Sequence, residues 1–405
     1  MVLRAVIASV ALCISVAQAD EPQWLKDARA REGKTVQPQP FKSKDNWFSA
    51  SVPATVLGEI IKEQESYSIE FDIGGDTPIY CEVVPDGFDM ADMLRRTLDL
   101  TLKQVEEIQG KIEARRLDFS DAGAVGNVPF LETRWIYRAN DGTEPRVGGL
   151  KQVAFEKHGH GVYCAHVDIG FAQTFKTVTR ALAESFEAPT VAPPPYYMEI
   201  STMALGGKKV GIAISRLERD ADGDTKATQM AAMLAASPDG SLHSLDALNL
   251  AWLRPDASLI NGSHFLSEDG ELSTKVELRH TDDGWVVQGE WGGKQLDEKL
   301  GADAHPGNWV EQALGLRKLL AAKNAVGAEH SIALWTENAP MQLTDVKTRV
   351  IAKKRKNEYT AQSTIDRKNA ELTLDAKSGM TKAADIPTVG SMTAHFERIY
   401  ESGSF

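Results

Sequence analysis

Seven residues near the middle of the chain, Pro189-Thr190-Val191-Ala192-Pro193-Pro194-Pro195, constrain the architecture more than any others, because a run this dense in proline continues neither a helix nor a central strand. Proline fixes φ and removes a backbone donor, and a residue placed before proline is pushed toward extended backbone. Residues 189–196 therefore read as a stiff polyproline-type linker. Before it, strands alternate with long helices; after it, short strands and turns dominate. The predicted fold class is α+β with two domains: an antiparallel α/β sandwich at 47–188, then a large antiparallel β-meander with one packed helix at 197–405.

The beginning of the chain bears on compartment. Arg4 is followed by an apolar run over 5–16, then Ala17-Gln18-Ala19 and the acidic pair Asp20-Glu21. This is the pattern of a secretory signal peptide over 1–19, with the mature chain starting at Asp20. The run is shorter than the roughly 20 residues a membrane span needs. Cys13 follows the bulky Leu12, where a lipid-attachment signal carries a small residue. The expectation is a periplasmic or secreted protein with no transmembrane segment after cleavage. A formal charge of −12 argues against a general nucleic-acid binder. Residues 20–46 are polar, with few apolar side chains to offset the entropy of ordering, and read as a flexible leader.

Outside the signal peptide two cysteines remain, Cys81 and Cys164, each in a strand-like run. An even pair in an oxidising compartment reads as a disulfide. The rival reading is a thiol or hydrolytic enzyme, since a strand's period of two puts Cys164 and His166 on one face. No turn or helix start sits at either cysteine to expose and stabilise a thiolate.

In the first domain Tyr67, Ile69, Phe71 and Ile73 alternate with polar residues, as in a strand with one buried face. Met90, Met93, Leu94, Leu98, Leu102, Val105 and Ile108 then make one helical stripe, capped by Asp89 or Asp86. Strands are predicted at 130–139, 150–156 and 162–169, and a closing helix at 174–186. The order resembles the PsbP-like α/β sandwiches over residues 47–186, where a C-terminal hairpin also runs into a last helix ending at Ser-Phe, here Ser185-Phe186. His158-Gly159-His160 reads as an exposed hairpin tip, and with His166 it lacks the ligand number and spacing of a zinc site.

Past the linker, Gly206-Gly207, Glu268-Asp269-Gly270, Asp282-Asp283-Gly284 and Gly292-Gly293 recur as hairpin turns. One helix interrupts them, starting near Asn308 or Trp309. The aspartates of 220–224 lack the glycine and glutamate of a calcium loop and read as a turn. Residues 198–203, Gly206-Gly207-Lys208-Lys209, the Trp335 strand and 372–379 resemble the LolA-like and other β-rich domains of unknown function in bacterial envelope proteins. That resemblance implies an extended, curved sheet used for binding or assembly. Lys353-Lys354-Arg355-Lys356, the densest basic run, reads as a solvated turn.

No carboxylate pair, serine triad or phosphate loop stands out, so the reading expects no catalytic set, no cofactor and no metal. Trp252, Trp285, Trp291 and Trp335 lie on different strands and are the candidate ligand-binding residues, on whichever sheet face the helix leaves bare. The function expected is a non-enzymatic binding or carrier module for an apolar or amphiphilic envelope molecule, with a lipid or another envelope protein as partner. The alternatives are an envelope assembly or protein-interaction factor and the thiol enzyme above. Oligomeric state is not legible.

Overall fold

The computed structural model describes residues 22–58, 61–63, 66–84, 89–190, 194–220, 222–237, 240–301, 303–337, 339–365, 368–388 and 393–404. The expected signal peptide, Asp86 and linker residues 191–193 lie outside the described residues. Among the described residues, no helix is long and apolar enough to cross a membrane. The chain divides into two compact units, one formed by 22–190 with 234–244 and the other by 194–233 with 245–404.

The first unit opens with α1 (Gln23–Arg29) and a two-stranded sheet of β1 (Gln39–Lys42) and β2 (Ser49–Val52). Its main sheet holds β3 (Thr55–Val56), β4 (Ile61–Glu63), β5 (Ser66–Asp72), β6 (Ile79–Val84), β7 (Lys111–Val125), β8 (Val128–Asn140), β9 (Pro145–Lys157) and β10 (His160–Val167). They lie in the order β3-β5-β6-β10-β9-β8-β7, with β4 also on β5. Two helices, α2 (Met90–Gln109) and α3 (Ala172–Ser185), cover opposite faces of this sheet. On one face Phe175, Val178 and Leu182 of α3 share a core with Cys81, Val153 and Phe155. On the other, Gln152 donates to the Leu94 carbonyl of α2 at 3.3 Å. A strand covered on both sides loses its alternation, which is why Leu150 through Glu156 are buried without a break.

Several expectations change here. The 15-residue strand β7 was not anticipated, because its first ten positions carry few apolar side chains and remain largely exposed. Ile108 does not join the α2 stripe and is 80% exposed. Asp89 takes the cap position of α2 but makes no side-chain cap bond.

The expected loose leader is instead tied into the first unit. The Glu32 carboxylate accepts from the backbone N–H of Gln173 and Thr174 at 3.0 and 2.7 Å, satisfying two open donors in the first turn of α3. Arg31 pairs with Asp168, and Lys34 N–H donates to the Ile73 carbonyl. Specific hydrogen bonds order a stretch whose composition supplies little apolar surface.

Cys81 on β6 lies directly opposite Cys164 on β10, and their sulfurs are bonded. A bridged sulfur is no nucleophile, so the Cys164/His166 thiol enzyme does not hold for this structure. His166 is a core histidine: its Nε2 bonds the Thr77 carbonyl at 3.2 Å, and burial pushes its pKa down to about 3. His160 is buried rather than exposed, its Nε2 on the Pro189 carbonyl at 2.8 Å.

The second unit is a 14-stranded antiparallel sheet with one helix. Its first run comprises β11 (Tyr197–Leu205), β12 (Lys208–Arg219), β13 (Thr225–Ala236), β14 (Leu242–Leu253), β15 (Leu259–Glu268), β16 (Glu271–Thr281), β17 (Gly284–Trp291) and β18 (Lys294–Lys299). After α4 (Trp309–Leu320) come β19 (Glu329–Leu334), β20 (Thr344–Arg355), β21 (Glu358–Ile365), β22 (Lys368–Asp375), β23 (Thr381–Pro387) and β24 (Thr393–Gly403). Glycine turns hold the hairpins: Asp269 and Gly270 both have positive φ, the two-residue turn whose twist matches the strands it joins.

The expected single meander is really two. The sheet order runs from β18 down to β11, then from β24 down to β19, so the first and last strands of the unit pair at its centre. The chain passes from the β18 edge to the β19 edge through α4. Those edges are not paired with each other, and a lone parallel bridge joins Gly307 to Leu334, so no closed barrel forms. Asn308 starts α4 as anticipated, its Oδ1 accepting from Val310 and Glu311 N–H at 3.0 and 3.1 Å.

Candidate functional site

Residues from nine successive strands, β15 through β11 and on from β24 to β21, line one cavity of about 340 Å³ in the second unit. A compact space of that volume is roughly 9 Å across, about two strand spacings. Nine strands can share it only because the sheet curls around it. The floor is made of small residues in register: Ser201 faces Ala213, Ala213 faces Ala231, and Ala251 faces Gly262. A filled barrel interior would carry branched side chains at such positions, so the space follows from side-chain choice. Gln312, Ala313 and Leu316 of α4 close the roof.

Two buried polar groups stand in the wall. The first joins the central strands: Arg398 on β24 is within 2.8 Å of Asp375, 3.1 Å of Glu401 and 3.5 Å of Glu199. The Tyr197 hydroxyl donates to Glu199 at 3.0 Å. Burial pushes the Glu199 carboxyl up, against the pull of Arg398. The second is neutral. His264 Nδ1 donates to the Asn249 side-chain oxygen at 2.6 Å, and its ring stacks on Trp335 with centroids 3.9 Å apart. Gly262 permits this stack, since a Cβ there would come within 3.0 Å of the Trp335 ring.

Burial holds the His264 pKa down at about 4, against the attraction of Glu337. The folded value lies below the unfolded one, so the unfolded chain binds the extra proton. Stability from neutral His264 is therefore fully present above about pH 6.5 and lost as pH falls toward about 4, roughly 3 kcal/mol in all. His264→Phe keeps a ring on Trp335 and removes the titration. Urea unfolding at neutral pH and near pH 4 should show the variant losing about 3 kcal/mol less than the parent. Equal losses in both proteins would rule this assignment out.

Of the four candidate tryptophans, Trp335 lines the cavity, with its Nε1 donating to the Pro340 carbonyl at 2.9 Å. Trp285 and Trp291, expected on different strands, share β17; they pack against the same core cluster as Trp335 but are not among the lining residues. Trp252 sits next to the lining Ala251 in sequence, so strand alternation turns it to the other face. The cavity lies on the helix-covered side, not on the bare face that was expected to carry the site. Sequence reading missed the small floor residues and the buried ions. The available signal was alternation of a different kind: in β12, Ala213 and Ser215 alternate with Ile212 and Ile214, small against large rather than polar against apolar.

Among the described residues, no group of three or more His, Cys, Asp or Glu side chains is placed to hold a metal. No family model matches this sequence, and no curated protein matches it. Solved structures do. A beta-barrel-like protein of domain of unknown function DUF1849 from Brucella abortus is 10% identical, with 52% of this chain and 98% of that chain covered at a TM-score of 0.37. A DUF1089 family protein from Pseudomonas aeruginosa is 15% identical, covering 51% of this chain and 96% of that chain at a TM-score of 0.27. Both are proteins described only by a domain-of-unknown-function family.

Proposed function

We propose that the second unit is a binding or carrier module that takes an apolar or amphiphilic molecule into the cavity under α4. The observation that carries this reading is the small-residue floor: Ala213, Ala231, Ala251 and Gly262 leave space where longer side chains would fill it. The volume falls within the range of small-molecule sites, which are mostly apolar with a few placed polar groups. The signal-like leader and the Cys81–Cys164 bridge support a periplasmic or secreted setting, where the molecule would be an envelope component. An assembly role remains the second reading, favoured by the unpaired edges at β18 and β19.

Trp309 and Trp335 both line the cavity and report on its contents. Titrating the protein with a neutral naphthylamine dye should give a saturable change in tryptophan fluorescence. Ala213→Phe, which places a ring in the floor, should weaken dye binding at least tenfold, as expected for about 1.4 kcal/mol or more, while leaving the folded circular dichroism intact. Dye binding that never saturates, or that Ala213→Phe leaves unchanged, would remove the cavity from consideration and leave the assembly reading.

A further inference from the structure

The polar groups of the cavity also bear on the kind of amphiphile it takes, given that it binds one. Arg398 is the buried cation among its lining residues, and it is already committed to Asp375, Glu401 and Glu199. One positive charge among three carboxylates leaves the formal sum of that cluster negative. Glu337, also buried, adds a second acid to the wall. The lining lysines are exposed, and Lys382 is paired with Glu358. An ionised carboxylate or phosphate entering here would give up its hydration, meet no uncommitted buried cation and face two acids, which disfavours its entry.

Neutral hydrogen-bonding capacity is available in the same space. Glu199, Ser215 and Gln229 form one row across β11, β12 and β13, with Ser201 beside them opposite Arg398. Ser215 is taken up by Glu199. Ser201 and Gln229 on the floor and Gln312 on α4 are only partly buried, and no side-chain hydrogen bond from any of the three is found among the described residues. A serine hydroxyl and two amides donate and accept without charge, which matches a hydroxyl, ester or amide.

We propose that the cavity selects uncharged amphiphiles, with the ligand's hydroxyl, ester or amide group hydrogen-bonded by Ser201, Gln229 and Gln312 and its hydrocarbon lying along the alanine floor. The selectivity rests on the binding reading above, but it fails separately. The His264–Asn249 pair fits it, because the second polar patch of the wall is neutral as well.

The test uses the full chain with the naphthylamine dye bound, displaced by monooleoylglycerol or by oleate, which share one hydrocarbon chain. At mildly alkaline pH, where oleate is ionised, monooleoylglycerol should displace the dye at a concentration at least tenfold lower. Gln229→Leu should weaken monooleoylglycerol three- to tenfold relative to the dye, the worth of about one hydrogen bond. Gln229→Lys should narrow or invert the preference by giving oleate a counter-charge. Oleate displacing the dye as well as monooleoylglycerol from the parent protein overturns the selectivity while the binding reading stands. Absence of saturable dye binding overturns both.

Discussion

Arg398→Met is expected to destabilise the second unit by about 3–5 kcal/mol at neutral pH, the usual cost of removing one partner from a buried ionic cluster. The Arg398 side chain is 6% exposed and bonds carboxylates on β11 and β22 and on its own strand, so it ties the first strand of the unit to the last. Methionine fills much of the volume but leaves Asp375, Glu199 and Glu401 without a counter-charge. The Glu199 carboxyl, which burial already pushes up, rises further once the pull of Arg398 is gone. The sign of the pH effect follows: with the folded Glu199 pKa raised, the penalty is fully present above that raised value and shrinks as pH falls toward the unfolded range near 4. Chemical denaturation of the parent and Arg398→Met at neutral pH and near pH 4 checks both parts. A cost below about 1 kcal/mol, or one that acid leaves unchanged, would show that the cluster is better solvated than its burial indicates. Arg398→Met combined with Glu199→Gln should recover part of the loss, because the second change removes a stranded charge.

What the sequence disclosed divides along the range of the interactions involved. Local chemistry was legible. Gly206-Gly207 and Asp269-Gly270 marked hairpins because their backbone needs positive φ, Asn308 marked a helix start because its amide accepts two open N–H groups, and the α2 stripe stood out at helical spacing. Long-range pairing was not. Nothing in the 393–403 segment announces that it will lie beside β11, about 200 residues earlier, and turn two meanders into one sheet. The leader misled for a related reason: Glu32 holds the α3 start through one carboxylate, an interaction that leaves no trace in composition.

The cavity shows the same limit at finer scale. Aromatic residues drew attention because they are large, yet three of the four chosen lie outside the lining. The space depends on what is small, and an alanine facing a void reads in sequence like an alanine packed against a helix. Only strand register aligns Ser201 with Ala213 and Ala231, and Ala251 with Gly262, and turns five unremarkable residues into a floor.

Reducing the Cys81–Cys164 bridge is expected to cost the first unit about 4 kcal/mol, the loop-closure entropy of a cross-link between residues 83 apart in sequence. Both cysteines are buried in the core with Ile69, Val83, Val153 and Phe175, so free thiols would still pack there as small apolar groups. The loss should therefore come mainly from the freedom regained by the unfolded chain and not from a cavity. No cysteine occurs after Cys164, which confines the effect to the first unit. Urea unfolding followed by fluorescence, with and without reductant, should show one transition moving to lower urea while the other stays in place. Cys81→Ala/Cys164→Ala should reproduce the shift, with a small further loss from the missing sulfurs. If alkylation proves the thiols reduced and the first transition still does not move, then the bridge adds nothing beyond the pairing of β6 with β10, and the sheet and its two helices carry the stability of this unit alone.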